Sequence, residues 1–249
     1  MDRWAGKVAI VTGASAGIGL ATVEALVREG MTVVGLARRK QKMEDHMKTF
    51  KGKRKFYALE CDISKEENVT QTFQWVKKNL GSVHVLVNNA GVLLSGKIID
   101  TNKEVWDKVV GVNIMGLLCC TQQALKMMKE SGEEGHIINI NSIVGHRIIR
   151  NSSMSSNIYS ATKHAVTAIT STLEVELLGS KIRSTSISPG LVQTDIFSAN
   201  LKNADFLGKI ENLPALKSED VADAILYVLG TPTRVQITEL TIRPLGEQF

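Results

Sequence analysis

Cysteine is scarce in this 249-residue chain, and its arrangement does not suit cross-links. Three occur, Cys61, Cys119 and Cys120; the count is odd, two are adjacent, and no C-x-x-C is present. Neither a disulfide framework nor a metal site follows from that spacing, and a reducing compartment, the cytoplasm, is expected. Long hydrophobic runs are also missing. No window approaches the ~18 uninterrupted apolar residues of a membrane span. The opening M-D-R-W-A-G-K-V-A-I-V has no signal-peptide h-region. Excess charge is small, +5 in all. The basic residues at 38–42 and 51–55 are local and lack interleaved aromatics, so a solvated face fits them better than a nucleic-acid surface.

What is present is an ordinary apolar content of 43% with 22% charged residues, in a chain of a length that suits one α/β domain. Such a chain can bury roughly 70–75% of its unfolded surface, so its core needs no covalent staples. Short β-rich runs alternate with longer helical segments. Strands are expected at 8–12, 32–37, 55–62, 84–89, 136–142, 182–190 and 236–242. Helices are expected at 21–30, after Arg39, at 65–80, 103–129 and 159–178, and at 218–229 with Ser218 as N-cap. Continuous apolar strands separated by crossover helices predict a doubly wound, seven-stranded parallel sheet of Rossmann type with helices on both faces. The least patterned stretches, 143–158 and 191–217, each follow a strand's C-terminal end, where open α/β sheets bind ligands.

Four local patterns carry chemistry. Thr12–Gly19 reads T-G-A-S-A-G-I-G between a strand and a helix. Glycines at 13, 17 and 19 permit a tight turn that brings backbone N–H groups and a helix N-terminus to a phosphate. The second strand ends in Ala37-Arg38-Arg39, where a site for NAD would place an acid to accept from the ribose 2′-hydroxyl. Guanidinium groups there would instead pair with a 2′-phosphate, which points to NADP(H); the bland alternative is two solvated arginines opening a helix. Asn88-Asn89-Ala90-Gly91 is either a polar turn or a close approach of backbone to a neighbouring strand end or a ribose. Finally, Asn139, Asn141 and Ser142 end one strand, while Tyr159 and Lys163 stand one helical turn apart at the start of the next helix.

In this order and spacing, T-G-A-S-A-G-I-G, N-N-A-G, N-S, Y-S-A-T-K and S-P-G resemble the short-chain dehydrogenase/reductase family in its ordinary-length form, over essentially the whole chain. Within it, G-H-I-I-N-I-N-S-x-x-G-H-R, Y-S-A-T-K-x-A-V-T-A and the late I-R-P look like the animal family-member-eleven group, which includes keto-steroid reductases and insect farnesol dehydrogenases. The resemblance implies Asn113, Ser142, Tyr159 and Lys163 as the catalytic set. It implies cofactor contacts from Gly13, Ser15, Gly17, Ile18, Gly19, Arg38, Arg39, Asp62, Ile63, Asn89, Ala90, Gly91, Tyr159, Lys163, Pro189, Gly190, Val192 and Thr194. It also implies homodimers or homotetramers built on the helices at 103–129 and 159–178.

A phenol with a pKa near 10 is a poor base at neutral pH. On this reading Lys163 and a cationic nicotinamide move Tyr159 toward working pH, Ser142 holds the substrate oxygen, Lys163 also binds ribose hydroxyls, and Asn113 supports a proton relay. Ser142 and Tyr159 are 17 apart, a few residues more than in many members, which enlarges a loop at the site mouth. The expected substrate wall is apolar: Val92, Leu93, Leu94, Ile143, Val144, Ile148, Ile149, Met154, Ile158, Leu191, Ile196, Phe197, Leu201, Phe206 and Leu213, with Arg147, Arg150 and Lys202 at the rim. Cys119 and Cys120 are expected in the core, and His146 and His164 at the periphery. The expected activity is interconversion of a hydrophobic carbonyl compound and its alcohol. The rival is a cofactor-sensing binding module of the same fold; loss of Tyr159 or Lys163 would favour it, and both are present.

Overall fold

In a computed structural model that describes residues 1–50, 55–149, 156–198 and 212–247, seven strands form one parallel sheet in the order β3-β2-β1-β4-β5-β6-β7. They are β1 Val8–Thr12, β2 Thr32–Ala37, β3 Phe56–Glu60, β4 Val85–Asn88, β5 Gly135–Ile140, β6 Ile182–Pro189 and β7 Glu239–Ile242. The expected doubly wound architecture is therefore the one found. Strand order reverses between β1 and β4, and the crevice at such a reversal is where this topology takes a ligand.

The five inner strands are buried at every residue, whereas the edge strands β3 and β7 are partly exposed. Alternate residues of β1 feed two cores. Ala9 and Val11 pack with α1 (Gly17–Arg28), α2 (Lys40–Thr49) and α8 (Ser218–Gly230), which follows the short α7 (Asp195–Ser198), on one face. Val8 and Ile10 pack with α3 (Glu66–Leu80), α5 (Leu117–Ser131) and α6 (Tyr159–Glu176) on the other. This is the period of two of a strand, served from both sides. Cys61 and Cys120 lie buried in the second core, as expected for small apolar groups, and Cys119 packs partly exposed against it. No helix of the described residues is long and apolar enough to cross a membrane.

Four local expectations change. The helix after the glycine turn starts at Gly17. The cap of α8 is Lys217, whose amide donates to the Asp220 carboxylate at 2.7 Å; Ser218 is the first helical residue. The stretch 103–129 is not one regular helix. Residues Lys103–Val110 form α4, Gly111–Gly116 form a π-helical turn, and α5 follows. π turns inside α-helices frequently mark functional positions, and this one contains Asn113. Last, β7 begins at Glu239, not 236; the residues just before it meet β6 through one backbone bond, Ser186 N to Thr238 O at 2.9 Å, and two side-chain bonds, Thr185 Oγ1 to Ile237 O and the Gln236 amide to Ser184 O.

β6 also departs from the apolar pattern, since I-R-S-T-S-I-S-P is polar yet wholly buried. Three of its four hydroxyls are matched from neighbouring elements, while Ser184 Oγ is buried with no partner among the described residues. Thr185 meets His136 Nε2 at 2.8 Å, Ser186 accepts from Asn141 Nδ2 at 3.3 Å, and Ser188 meets His146 Nε2 at 2.9 Å. Buried polar groups persist where they are hydrogen-bonded.

Candidate active site

One cleft of about 970 Å³ opens along the C-terminal ends of β1 to β6. At its centre is the glycine turn. Gly13 and Gly17 hold left-handed backbone, with φ of 67° and 54°. A Cβ at Gly19 would lie 2.4 Å from Gly13 O and 2.5 Å from Asn89 Nδ2, so only glycine permits the turn to close on the β4 end. No side chain caps α1, which leaves its N-terminal turn directed at the cleft edge. Thr12 Oγ1 accepts from the amides of Asn89 and Ala90, each at 3.0 Å, and Asn89 Nδ2 donates to Thr12 O at 2.9 Å. Of the two uses open to the Asn89 amide, the structure shows the neighbouring strand end. Gly19 and Asn113 stand behind the wall; every other residue expected to bind the cofactor or substrate oxygen lines the cleft.

At the β2 end Ala37, Arg38 and Arg39 form one wall. Arg39 Nε and Nη2 reach Ser15 Oγ at 3.3 and 3.1 Å, so a guanidinium and a hydroxyl of the glycine turn converge. Asp62 lies opposite. Burial pushes its carboxyl up, but hydrogen bonds from the Ser64 hydroxyl and amide and the charge of Arg38 outweigh that, and it stays below its ordinary value. A turn that a Cβ would fill, with hydroxyl and guanidinium donors beside it, suits the phosphates of a dinucleotide.

The other end holds the reactive groups. Ser142 follows β5 and caps a short turn, accepting from Val144 N at 3.3 Å. Tyr159 is the first residue of α6, and Lys163 lies one turn further on. Lys163 is buried and donates to Ile140 O at 2.7 Å; its Nζ is 5.7 Å from the centre of the Tyr159 ring. Burial lowers the ammonium to about 8. Tyr159 keeps some exposure to the cleft, yet the protein around it pushes the phenol above its ordinary value of 10. The expected downward pull on the phenol is that of Lys163 together with a cationic nicotinamide, and burial opposes it in the protein itself. Desolvation outweighs a cation that is anchored on a carbonyl.

Asn113 closes a separate clamp. Its Oδ1 accepts from Val92 N at 2.8 Å, and its Nδ2 donates to Val92 O at 3.0 Å and Thr162 Oγ1 at 3.1 Å. The π turn thereby ties the loop after β4 to the first turn of α6. His146 and His164 do not line the cleft; His164 Nδ1 meets Ser160 O at 2.9 Å.

Of the expected substrate wall, Val92, Leu93, Ile143, Val144, Ile149, Leu191, Ile196 and Leu213 face the cleft. Ile148 is 65% exposed, and Leu94 and Ile158 do not reach it. Met154, Leu201, Phe206, Arg150 and Lys202 lie outside the described residues, as do the Phe197 side chain and the basic positions 51–54. Sequence reasoning missed Glu247, which lines the cleft. No spacing signal joins it to a turn nearly sixty residues earlier.

With the glycine turn, Ser142, Tyr159 and Lys163 on one cleft, the chain also matches the short chain dehydrogenase family over residues 7–205. The chain belongs to that family. This short-chain dehydrogenase is 50% identical over 255 residues to farnesol dehydrogenase of Aedes aegypti, with all of both chains covered. It is 42% identical over 255 residues to dehydrogenase/reductase SDR family member 11 of Gallus gallus, covering 98% of each. Among solved structures it is similar to the closed form of serine dehydrogenase complexed with NADP+, with a TM-score of 0.88, 29% identity, and 97% and 96% of the two chains covered.

Proposed function

We propose that this short-chain dehydrogenase uses NADP(H) to interconvert a hydrophobic carbonyl compound and its alcohol. The observation that carries this reading is the common cleft of Ser142, Tyr159, Lys163 and the glycine turn. Gly13, Ser15, Gly17 and Ile18 would hold the diphosphate, Arg38 and Arg39 the 2′-phosphate, Asp62 and Ile63 the adenine, and Pro189–Thr194 with Asn89–Gly91 the nicotinamide half. When bound, the nicotinamide supplies or accepts the hydride. Ser142 donates a hydrogen bond to the carbonyl oxygen and orients it. Tyr159 gives that oxygen its proton during reduction and takes it back during oxidation. Lys163 binds ribose hydroxyls and, with the nicotinamide's charge, offsets the burial that holds the phenol up. Asn113, by closing on Val92 and Thr162, supports the proton path from the first turn of α6. Turnover of NADPH with steroid ketones, terpenoid aldehydes and quinones, and of NADP+ with matching alcohols, is the direct test; binding of NADPH without turnover of any would establish the sensing module instead.

The cleft wall supports the substrate class. Leu93, Val144, Ile149, Leu191, Ile196 and Leu213 present apolar surface, worth about 0.8 kcal/mol per CH₂ that the substrate buries. The sequence relative from Aedes aegypti acts on an alcohol of this kind by its name. The expected result is a kcat/KM that rises from a C4 aldehyde to a C15 terpenoid or a steroid ketone. A flat or falling series, or preference for a charged sugar, would reject the apolar reading.

Assembly follows from apolar surface on the helices beside the site. Met115, in the π turn, is 52% exposed, Leu118 of α5 37% and Val175 of α6 68%. Exposed apolar side chains on these helices are surface that a second copy would cover. The short-chain dehydrogenase is therefore expected to scatter light as a dimer or tetramer at micromolar concentration, and a single-chain mass would refute it. Its three free thiols fit a reducing cytoplasm.

A further inference from the structure

The turn after β6, Pro189 to Thr194, is held from two sides. On one, Gly190 N donates to Ile242 O at 2.8 Å and continues the β6–β7 pairing. Leu216 N donates to Leu191 O, and Gln193 N to Leu216 O, both at 2.8 Å. A further amide of this stretch, Leu191 N, donates at 2.8 Å to Oε1 of Glu247. The other carboxylate oxygen accepts from Arg243 Nε at 2.6 Å. Glu247 N donates to Pro244 O, and Arg243 Nη2 to Glu247 O, both at 3.2 Å. The segment after β7 is thus a compact hook that delivers one carboxylate to one amide.

Two features make this hook more than a tail packed on a surface. The Glu247 side chain is 2% exposed although it carries charge, and burying a carboxylate is unfavourable unless it is paired and hydrogen-bonded. The approach is also exclusive. A Cβ at position 190 would stand 2.6 Å from Oε1, so the glycine of S-P-G is what admits the carboxylate. Glu247 meets the turn and lines the same cleft as Tyr159.

We propose that Glu247 is a positioning residue for the cofactor: by holding Leu191 N it presets the shape of the Pro189–Thr194 turn. The inference rests on the reading of that turn as a nicotinamide contact. A preset turn loses less conformational freedom on binding, so its effect lies in cofactor affinity rather than only in stability.

The test is NADPH affinity by fluorescence titration, with thermal midpoints measured beside it, for wild type, Glu247→Ala, Glu247→Gln and Thr194→Ala. Glu247→Ala is expected to weaken NADPH about tenfold, the effect of one charge-assisted hydrogen bond. Glu247→Gln keeps an acceptor for Leu191 N, and Arg243, whose side chain is 34% exposed, can turn to solvent. It is expected to return affinity to within about threefold of wild type. Affinity of Glu247→Ala within about twofold of wild type, with only the midpoint lowered, overturns the proposal. If Thr194→Ala weakens binding in that case, the turn still contacts the cofactor and the positioning role alone fails. If Thr194→Ala is also silent, the reading of the turn fails with it. Should Glu247→Ala not fold, Glu247→Asp withdraws the carboxylate by one methylene and is read against the same two outcomes.

Discussion

Tyr159→Phe is expected to lower kcat for carbonyl reduction by about 10²- to 10⁴-fold, the usual effect of removing a positioned general acid, while NADPH affinity stays within about threefold. The substitution removes one oxygen and keeps the ring that fills the start of α6. Ser142 and Lys163 stay in place, so loss of rate without loss of binding isolates the proton transfer. Lys163→Ala should damage both, because its ammonium serves ribose and phenol. A Tyr159→Phe enzyme that keeps a tenth or more of wild-type kcat would show that another group moves the proton. Burial holds the phenol above its ordinary value in the protein itself. Alcohol oxidation, which needs the phenolate, should therefore rise with pH at saturating NADP+, and carbonyl reduction, which needs the phenol, should fall. Loss of that inflection in Tyr159→Phe would tie it to this side chain.

Cofactor choice should also respond strongly. Wild type is expected to prefer NADPH over NADH by at least about tenfold in catalytic efficiency, about 1.4 kcal/mol, a modest demand on a guanidinium–phosphate contact. Ala37→Asp with Arg38→Leu removes one attraction and adds a carboxylate where the 2′-phosphate would sit. The combined swing toward NADH is expected to be about a hundredfold, because specificity gains from repulsion of the wrong ligand as well as attraction of the right one. Ala37 ends β2 and is 7% exposed at the cleft wall, so the new carboxylate has little room to turn away. Arg39 keeps its contact with Ser15 Oγ, which is why the switch should be incomplete. Equal efficiency with both cofactors in wild type would reject the reading of Arg38 and Arg39.

Much of this protein was legible in local pattern. Apolar runs of β1, β2 and β4, stops at Gly30 and Gly81, and amphipathic helices between them pointed to a doubly wound sheet, because each of these signals acts within a few residues. The glycine turn and the one-turn spacing of Tyr159 and Lys163 were equally local, and the parallel topology necessarily gathers such strand ends at one edge. The π turn was not legible. Nothing in G-V-N-I-M-G by itself prefers it to an α-helix, and Asn113 finds its partners in Val92 and Thr162 only after the loop and α6 have packed. Nor was β6 legible as an inner strand by hydrophobicity, since Thr185, Ser186 and Ser188 find side-chain partners in His136, Asn141 and His146 once the fold has packed.

Local pattern thus carried the fold, the family and most of the residues along the cleft, but not Glu247. What each polar group does there emerged from the packed chain. It showed Lys163 on Ile140 O with burial raising Tyr159, Asn89 bonded to Thr12, and Glu247 bonded to Leu191 N. The reason is physical: turn and helix preferences depend on near neighbours in the chain, whereas desolvation and hydrogen-bond choice depend on which distant groups the finished fold brings within about 3 Å.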